Sequence, residues 1–213
     1  MVVQVGESFW KRSVGIIFSI GTTSTTTTTM PPPTGPCRFQ YPGKGVIDFS
    51  FIGRTDAKAA YTDETTRTAS NFSTFLEFCP FNPMTSHLFH ILEYSYNPCR
   101  SFSEGTDCIG VSVCQSEWSS VFLCHLLKVN CLVSKDDKHT YTLGTQESAS
   151  WNPGSDVDTL PSVNYAYAEK KVTVFLQCSI DGNNEFQAFG EDPVNHFRFQ
   201  LTHKCACWNE CSN

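Results

Sequence analysis

The sequence predicts an all-β fold, because three of its features are typical of small domains stapled by disulfide bonds. Segments in which apolar and polar residues alternate with a period of two recur along the chain. Clusters of Gly, Pro and Asn separate these segments, and 11 of the 213 residues are cysteine. We therefore expect a β-sandwich or flattened β-barrel of short strands, with disulfide bonds supplementing a hydrophobic core.

Four segments alternate clearly enough to be predicted as strands. They are residues 46–52 (VIDFSFI), 90–96 (HILEYSY), 171–177 (KVTVFLQ) and 196–201 (HFRFQL). Turn signals lie between them, at residues 41–43 (YPG), 97–98 (NP), 152–154 (NPG) and 181–184 (DGNN). The one segment that resembles a helix, residues 119–129 (SSVFLCHLLKV), is short and begins and ends near β-branched residues. It does not change the predicted class.

The N-terminal part of the chain differs from the rest. Lys11 and Arg12 precede the short apolar stretch 13–21, so residues 1–21 resemble a weak signal segment. Residues 22–36 (TTSTTTTTMPPPTGP) have the composition of an extended linker, either O-glycosylated or unmodified. The folded domain is then expected over residues 37–213, beginning at Cys37.

Charge and hydropathy exclude several classes of function. Lys and Arg number 15 against 21 for Asp and Glu, so the formal net charge is −6 and no basic stripe for nucleic acid is expected. No run of about 18 apolar residues predicts a membrane-spanning helix. Cys205, Cys207 and Cys211 with His203 resemble a thiolate metal site, but a second pair at C-x-x-C spacing is lacking. We therefore expect disulfide bonds there, and we expect no metal and no cofactor.

The order of motifs along the chain points to a family. They are Cys37, 45–50 (GVIDFS), 94–100 (YSYNPCR), Cys108, 111–115 (VSVCQ), 141–144 (YTLG), 172–178 (VTVFLQC), 197–201 (FRFQL) and Cys207. In this order the chain resembles the mannose 6-phosphate receptor homology domain, also called the P-type lectin domain. It is most similar to the repeats of the cation-independent receptor. The resemblance covers residues 37–207.

The resemblance implies a fold and a set of disulfide bonds. The fold is a flattened β-barrel of two crossed antiparallel sheets. The implied bridges join Cys37 to Cys99, Cys108 to Cys114 and Cys178 to Cys207. The first would close a loop of ~60 residues, which corresponds to about 4 kcal/mol in the chain-entropy model. The cysteines without a counterpart are Cys79, Cys124, Cys131, Cys205 and Cys211, of which Cys124 and Cys131 are candidates for a local bridge.

The resemblance also implies a carbohydrate site built from a Gln, an Arg, a Glu and a Tyr. Gln115, directly after Cys114, matches the Gln. Glu191 is the better match for the Glu, with Glu185 as the alternative. Such side chains share donors and acceptors among the hydroxyls of a mannose ring.

Two positions depart from the family pattern. The Arg position falls on Lys170 or Lys171, and the Tyr position falls on Phe197. Lysine keeps the charge but loses the planar fork that holds two oxygens at once. Phenylalanine keeps the ring but loses the hydroxyl. A structural alternative for the whole set is a solvent-facing Gln115, a loop carboxylate at Glu191 and a solvated pair of lysines.

Three functions follow as hypotheses. The first is a non-enzymatic carbohydrate-recognition domain that binds mannose-type or phosphomannosyl N-glycans on lysosomal or secretory glycoproteins. The second is a protein-interaction module of the same fold without lectin activity. The third is a small secreted thiol hydrolase, suggested only by the presence of Cys and His. Cysteine usage favours the lumen of the Golgi, endosome or lysosome, or the extracellular space. Asn71 in Asn71-Phe72-Ser73 is the N-glycosylation candidate.

Overall fold

The structure, a computed structural model, describes residues 35, 37–66, 87–124, 131–154 and 159–211. It contains twelve strands and, among these residues, no α-helix. The strands are β1 (Arg38–Tyr41), β2 (Gly45–Asp48), β3 (Tyr61–Thr65), β4 (His87–Tyr96), β5 (Phe102–Glu104), β6 (Cys108–Cys124), β7 (Cys131–Thr145), β8 (Ser150–Asn152), β9 (Ser162–Tyr167), β10 (Lys170–Cys178), β11 (Glu185–Glu191) and β12 (His196–His203). The predicted all-β class is confirmed.

The strands form two five-membered sheets and a separate hairpin. The first sheet has the order β3-β4-β6-β5, with β7 paired to β6, and the second has the order β11-β12-β10-β9-β8. The β1–β2 hairpin stands apart from both. The architecture is that of a sandwich. Within the described residues the strands do not close into a barrel, so the barrel form of the prediction is not observed.

Aromatic side chains from both sheets meet in the core. Tyr94 of the first sheet packs edge-on against Phe199 of the second, with ring centroids 5.1 Å apart. Tyr96 stacks on Phe186 at 4.9 Å, and its hydroxyl lies 2.9 Å from the hydroxyl of Tyr165. These side chains are at most 3% exposed. One phenol of the Tyr96–Tyr165 pair donates to the other, so each of the two buried hydroxyls has a hydrogen-bond partner.

Two of the predicted elements differ from the structure. Residues 46–52 were expected to form one strand, but β2 ends at Asp48, whose Oδ1 accepts a hydrogen bond from the Ser50 amide and so starts a turn. As a result Phe51 is 66% exposed instead of continuing the buried face. The helix-like segment 119–129 is strand in its described part, since β6 extends to Cys124.

Among the described residues there are three disulfide bonds. Cys108–Cys114 and Cys178–Cys207 are the second and third of the bridges that the resemblance implies, with Cα–Cα distances of 5.9 and 4.4 Å. Cys205–Cys211 is a further bridge that the sequence left unassigned. The metal alternative at this cluster is thereby removed, because its three thiols are all consumed in bridges. The His203 ring instead accepts the backbone N–H of Cys205 at 2.9 Å.

The implied Cys37–Cys99 bridge is not formed, and this expectation is corrected. Both residues are free thiols in the structure. The Cys37 thiol donates to the carbonyl oxygen of Cys99 at 3.5 Å. Hydrogen bonding with the Cys99 side chain lowers the pKa of Cys37, whereas burial raises the pKa of Cys99. The two cysteines are therefore neighbours in space but are not covalently linked.

Several expectations lie outside the described residues. They concern the signal segment 1–21, nearly all of the linker 22–36, the sequon at Asn71, and Cys79. Cys124 and Cys131 are register partners at the end of the β6–β7 pair, and a bridge between them stays a prediction. No helix among the described residues has the length and hydropathy needed to span a bilayer.

Candidate functional site

The candidate site begins where the hydrophobic core ends. Along each strand the core-facing positions alternate, so the position two residues past the last buried side chain points to the same side of the sheet. In β6 this rule leads from the fully buried Val113 to Gln115, which is half-buried. In β10 it leads from the buried Val172 to Lys170, also half-buried. Polar side chains thus replace apolar ones at one end of the sandwich.

The first sheet contributes three adjacent side chains to this end. Gln115 of β6 is the register partner of Tyr94 in β4 and of Tyr141 in β7. Register partners in neighbouring strands lie on the same face of a sheet. Tyr94 is 1% exposed and reaches into the core, whereas Tyr141 is 38% exposed. Gln115 therefore lies between a buried phenol and an exposed one.

The second sheet contributes Lys170, Phe197 and Glu191. Phe197 of β12 is the register partner of Val172 in β10 and of Glu191 in β11. Because Lys170 is two residues before Val172, these side chains share the face that looks toward the first sheet. Lys171 alternates to the opposite face, where it is exposed and pairs in register with His196. Of the two lysines left open by the sequence, the structure places Lys170 on the site face.

Direct contacts join the two sheets at this point. The Lys170 ammonium lies 3.5 Å from the Thr142 carbonyl oxygen and 5.3 Å from the ring centroid of Tyr141. The ring of Tyr94 is 6.5 Å from that of Phe197. We define the mouth site as Tyr94, Gln115, Lys170, Glu191 and Phe197, which these contacts and registers connect.

A glycine allows the two sheets to approach here. Gly144 lies in β7, and a Cβ atom built on it would come within 2.5 Å of the Tyr165 Cβ in β9. A side chain at this position would hold β7 away from the second sheet. Tyr141 is three residues before Gly144, so the close approach brings its ring within reach of Lys170.

Burial and charge determine the protonation of the site. Burial, and secondarily the carboxylate of Glu191, raises the pKa of Tyr94 to about 12. The phenol is therefore a neutral donor and acceptor at physiological pH. Glu191 itself accepts the Asn195 backbone N–H at 2.5 Å, and this bond orients its side chain.

The alternative glutamate does not belong to this site. Glu185 begins β11 and pairs in register with Thr202, whereas Glu191 ends the same strand. Six residues of strand separate them, which corresponds to about 20 Å. Glu185 lies instead near Glu64, whose pKa is raised first by burial and then by Glu185.

Two residues were not predicted from the sequence, Tyr94 of the mouth site and Tyr141 beside it. Tyr94 lies in the predicted strand 90–96, but alternation alone assigns it to the core and gives no sign that it lies beside Gln115 at the polar end of the sandwich. Tyr141 lies in one of the family motifs, but its partner Lys170 is 29 positions further along the chain. The signal that could have found both is their register position beside Gln115, which requires the pairing of β4, β6 and β7.

The mouth site offers the chemistry of hydroxyl recognition. Gln115 supplies a carbonyl acceptor and an amide donor, Glu191 supplies acceptors, Lys170 supplies donors, and Tyr94 can act as either. Among the residues that the structure describes, the Gln115 amide and the Tyr94 hydroxyl show no hydrogen-bond partner. Phe197 lies beneath these groups as part of the core, with 4% of its surface exposed.

Comparison with known proteins does not assign a family. No family model matches the chain, and no curated protein matches it.

Proposed function

We propose that this protein is a non-enzymatic carbohydrate-recognition domain of the mannose 6-phosphate receptor homology type. The observation that carries the proposal is that strand registers and contacts link Gln115, Lys170, Glu191 and Phe197, four positions that the resemblance selected from three distant parts of the chain. If the chain shared only its fold with these domains, polar residues would not be needed at the end of the core. Their hydrogen-bonding groups suit adjacent hydroxyls of a mannose-type ring.

The disulfide framework supports a role in an oxidising compartment. Three bridges staple the first sheet and the end of the second, which is typical of secreted or lumenal proteins. Within that setting we propose glycoproteins of the secretory or lysosomal pathway as partners.

The proposal is tested by glycan binding to the full chain. Glu191→Gln keeps the oxygen that accepts from Asn195 but removes the charge, and we expect it to weaken mannoside binding about 10-fold or more. Glu185→Gln is the matched control, because it makes the same change at the other end of β11. Isothermal titration calorimetry with methyl α-mannoside measures both variants against the unchanged chain.

The outcomes separate the lectin from a lectin-inactive module. Equal mannoside affinities of the two variants would place the sugar elsewhere and overturn this site. A folded, unsubstituted chain that binds no mannose-type or phosphomannosyl glycan would leave the interaction module as the function. Cys37 and Cys99 also allow the thiol-hydrolase hypothesis to be tested separately, by the reaction of the chain with a thiol-reactive substrate analogue.

A further inference from the structure

An aromatic surface adjoins the mouth site at Lys170. Tyr167 of β9 is the register partner of Lys170 in β10, and it is 50% exposed. Tyr141, 38% exposed, lies on the other side of Lys170, with the ammonium 5.3 Å from its ring centroid. Two exposed phenol rings thus flank the one lysine of the mouth site.

Tyr167 lies on the same face as the mouth site. Tyr165, two residues earlier in β9, is buried and its hydroxyl meets Tyr96 of the opposite sheet. Alternation therefore directs Tyr167 to that same face, past the end of the core. The chain turns directly afterwards at Ala168, which has a φ of 51°. Tyr167 is thus the last side chain of its row.

We infer that Tyr167 and Tyr141 form a second sugar subsite, so that the ligand is a neutral mannose-type oligosaccharide of at least two rings. This inference rests on the proposed function of the mouth site. The first ring binds the hydrogen-bonding groups around Gln115, and the next ring packs its apolar C–H face on the tyrosines. An exposed ring covered by a ligand contributes contact area at a small cost in side-chain entropy, because tyrosine has two side-chain torsions.

Charge favours a neutral glycan over a phosphorylated one. The Tyr141 hydroxyl donates to the Glu117 carboxylate at 3.2 Å, and Glu191 is the register partner of Phe197 within the mouth site. Two carboxylates thus border the surface at which Lys170 supplies the cation, and the ammonium is already shared between a carbonyl oxygen and a ring. A phosphate of charge about −1.5 to −2 at pH 7 would be repelled by both carboxylates.

The experiment compares two ligands on three forms of the full chain. The ligands are methyl α-mannoside and an α-linked mannose trisaccharide, and the forms are the unchanged chain, Tyr167→Ala and Phe51→Ala. Phe51, 66% exposed in the turn after β2, is the matched control for loss of an exposed aromatic ring. We expect the trisaccharide to bind the unchanged chain about 10-fold more tightly than the monosaccharide. Tyr167→Ala should remove most of that advantage and leave monosaccharide affinity within twofold, and Phe51→Ala should change neither.

The results distinguish failure of the inference from failure of the proposed function. Equal affinities of the unchanged chain for both ligands, or a trisaccharide affinity unaffected by Tyr167→Ala, would overturn the subsite while the mouth site stands. Tighter binding of mannose 6-phosphate than of methyl α-mannoside would overturn the preference for a neutral ligand. No binding of any of these sugars would overturn the proposed function itself.

Discussion

The side chain of Lys170 meets β7 through two contacts that an arginine can retain. Its ammonium reaches the Thr142 carbonyl oxygen and the face of the Tyr141 ring. A guanidinium stacks on aromatic rings and also presents a planar fork of donors. At Phe197, by contrast, the phenolic hydroxyl of the family pattern is absent, while the hydroxyl of Tyr94 is available on a ring 6.5 Å away. Arginine at position 170 would therefore keep the contacts that Lys170 makes, whereas the hydroxyl missing at Phe197 has a nearby substitute in Tyr94.

Restoring both groups should strengthen sugar binding. We expect Lys170→Arg combined with Phe197→Tyr to raise affinity for methyl α-mannoside, because two hydrogen-bonding groups are recovered. The expected gain is on the order of 1–3 kcal/mol, measured by calorimetry. Lys171→Arg is the matched control, since Lys171 lies on the opposite face of β10. A double variant that is folded by circular dichroism but binds no mannose-type glycan would refute the lectin hypothesis.

Among the strands, the site depends on the close contact between β7 and β9. We expect Gly144→Ala to lower the free energy of unfolding by about 1–3 kcal/mol, because the added methyl would overlap the Tyr165 Cβ. Mannoside affinity should fall as well, since β7 carries Tyr141 toward Lys170. Urea denaturation and calorimetry measure the two effects.

Gly110→Ala serves as the control for this change. It adds a methyl group where nothing lies within 4 Å, although its φ of 67° adds backbone strain. It should therefore cost stability without weakening mannoside binding. If Gly144→Ala binds mannoside as tightly as the unchanged chain, the approach of the sheets is not needed for the site.

Strand positions could be predicted from the sequence more fully than strand pairings. The alternation over 171–177 and 196–201 marks β10 and β12, because their buried faces are consistently apolar. It does not reveal that these strands are parallel, since a period of two is the same in either direction. The end of β2 was missed for a local reason, the turn that Asp48 starts. The site positions that match motifs could be predicted from the sequence. Tyr94 could be placed at the site only once the register of β4 against β6 was known.

At the scale of the whole molecule, Cys37 and Cys99 connect the β1–β2 hairpin to the first sheet. They are 62 residues apart in the chain, and Cys37 directly precedes β1. The hairpin also packs on the second sheet, because the Phe39 ring stacks on Trp151 at 5.3 Å. A covalent link at this point would therefore fix an element that otherwise depends on side-chain packing and backbone hydrogen bonds.

Oxidation should stabilise the domain through this pair. We expect oxidised glutathione to join Cys37 to Cys99, because the Cys37 thiol already lies 3.5 Å from the Cys99 carbonyl oxygen. Closing a loop of this length should raise the free energy of unfolding by about 4 kcal/mol. Mass spectrometry identifies the bridge, and thermal denaturation before and after oxidation measures its effect. In the Cys37→Ser control the treatment should leave the melting temperature unchanged.

The opposite results would contradict this account. If both thiols remain open to alkylation after the treatment, the contact is not close enough to form a bond. If the bridge forms without a rise in melting temperature, the hairpin is already fixed by its packing.

The position of β12 also bears on how the molecule is made. It lies between β10 and β11 in the second sheet, although it comes after both in the chain. During synthesis at ~5–20 residues per second, β10 and β11 leave the ribosome before the strand that must separate them. Each then exposes an unpaired edge, and their premature pairing with one another would have to be undone. The nascent chain therefore completes this sheet only after His203 has emerged, and the Cys178–Cys207 bridge can close only later still.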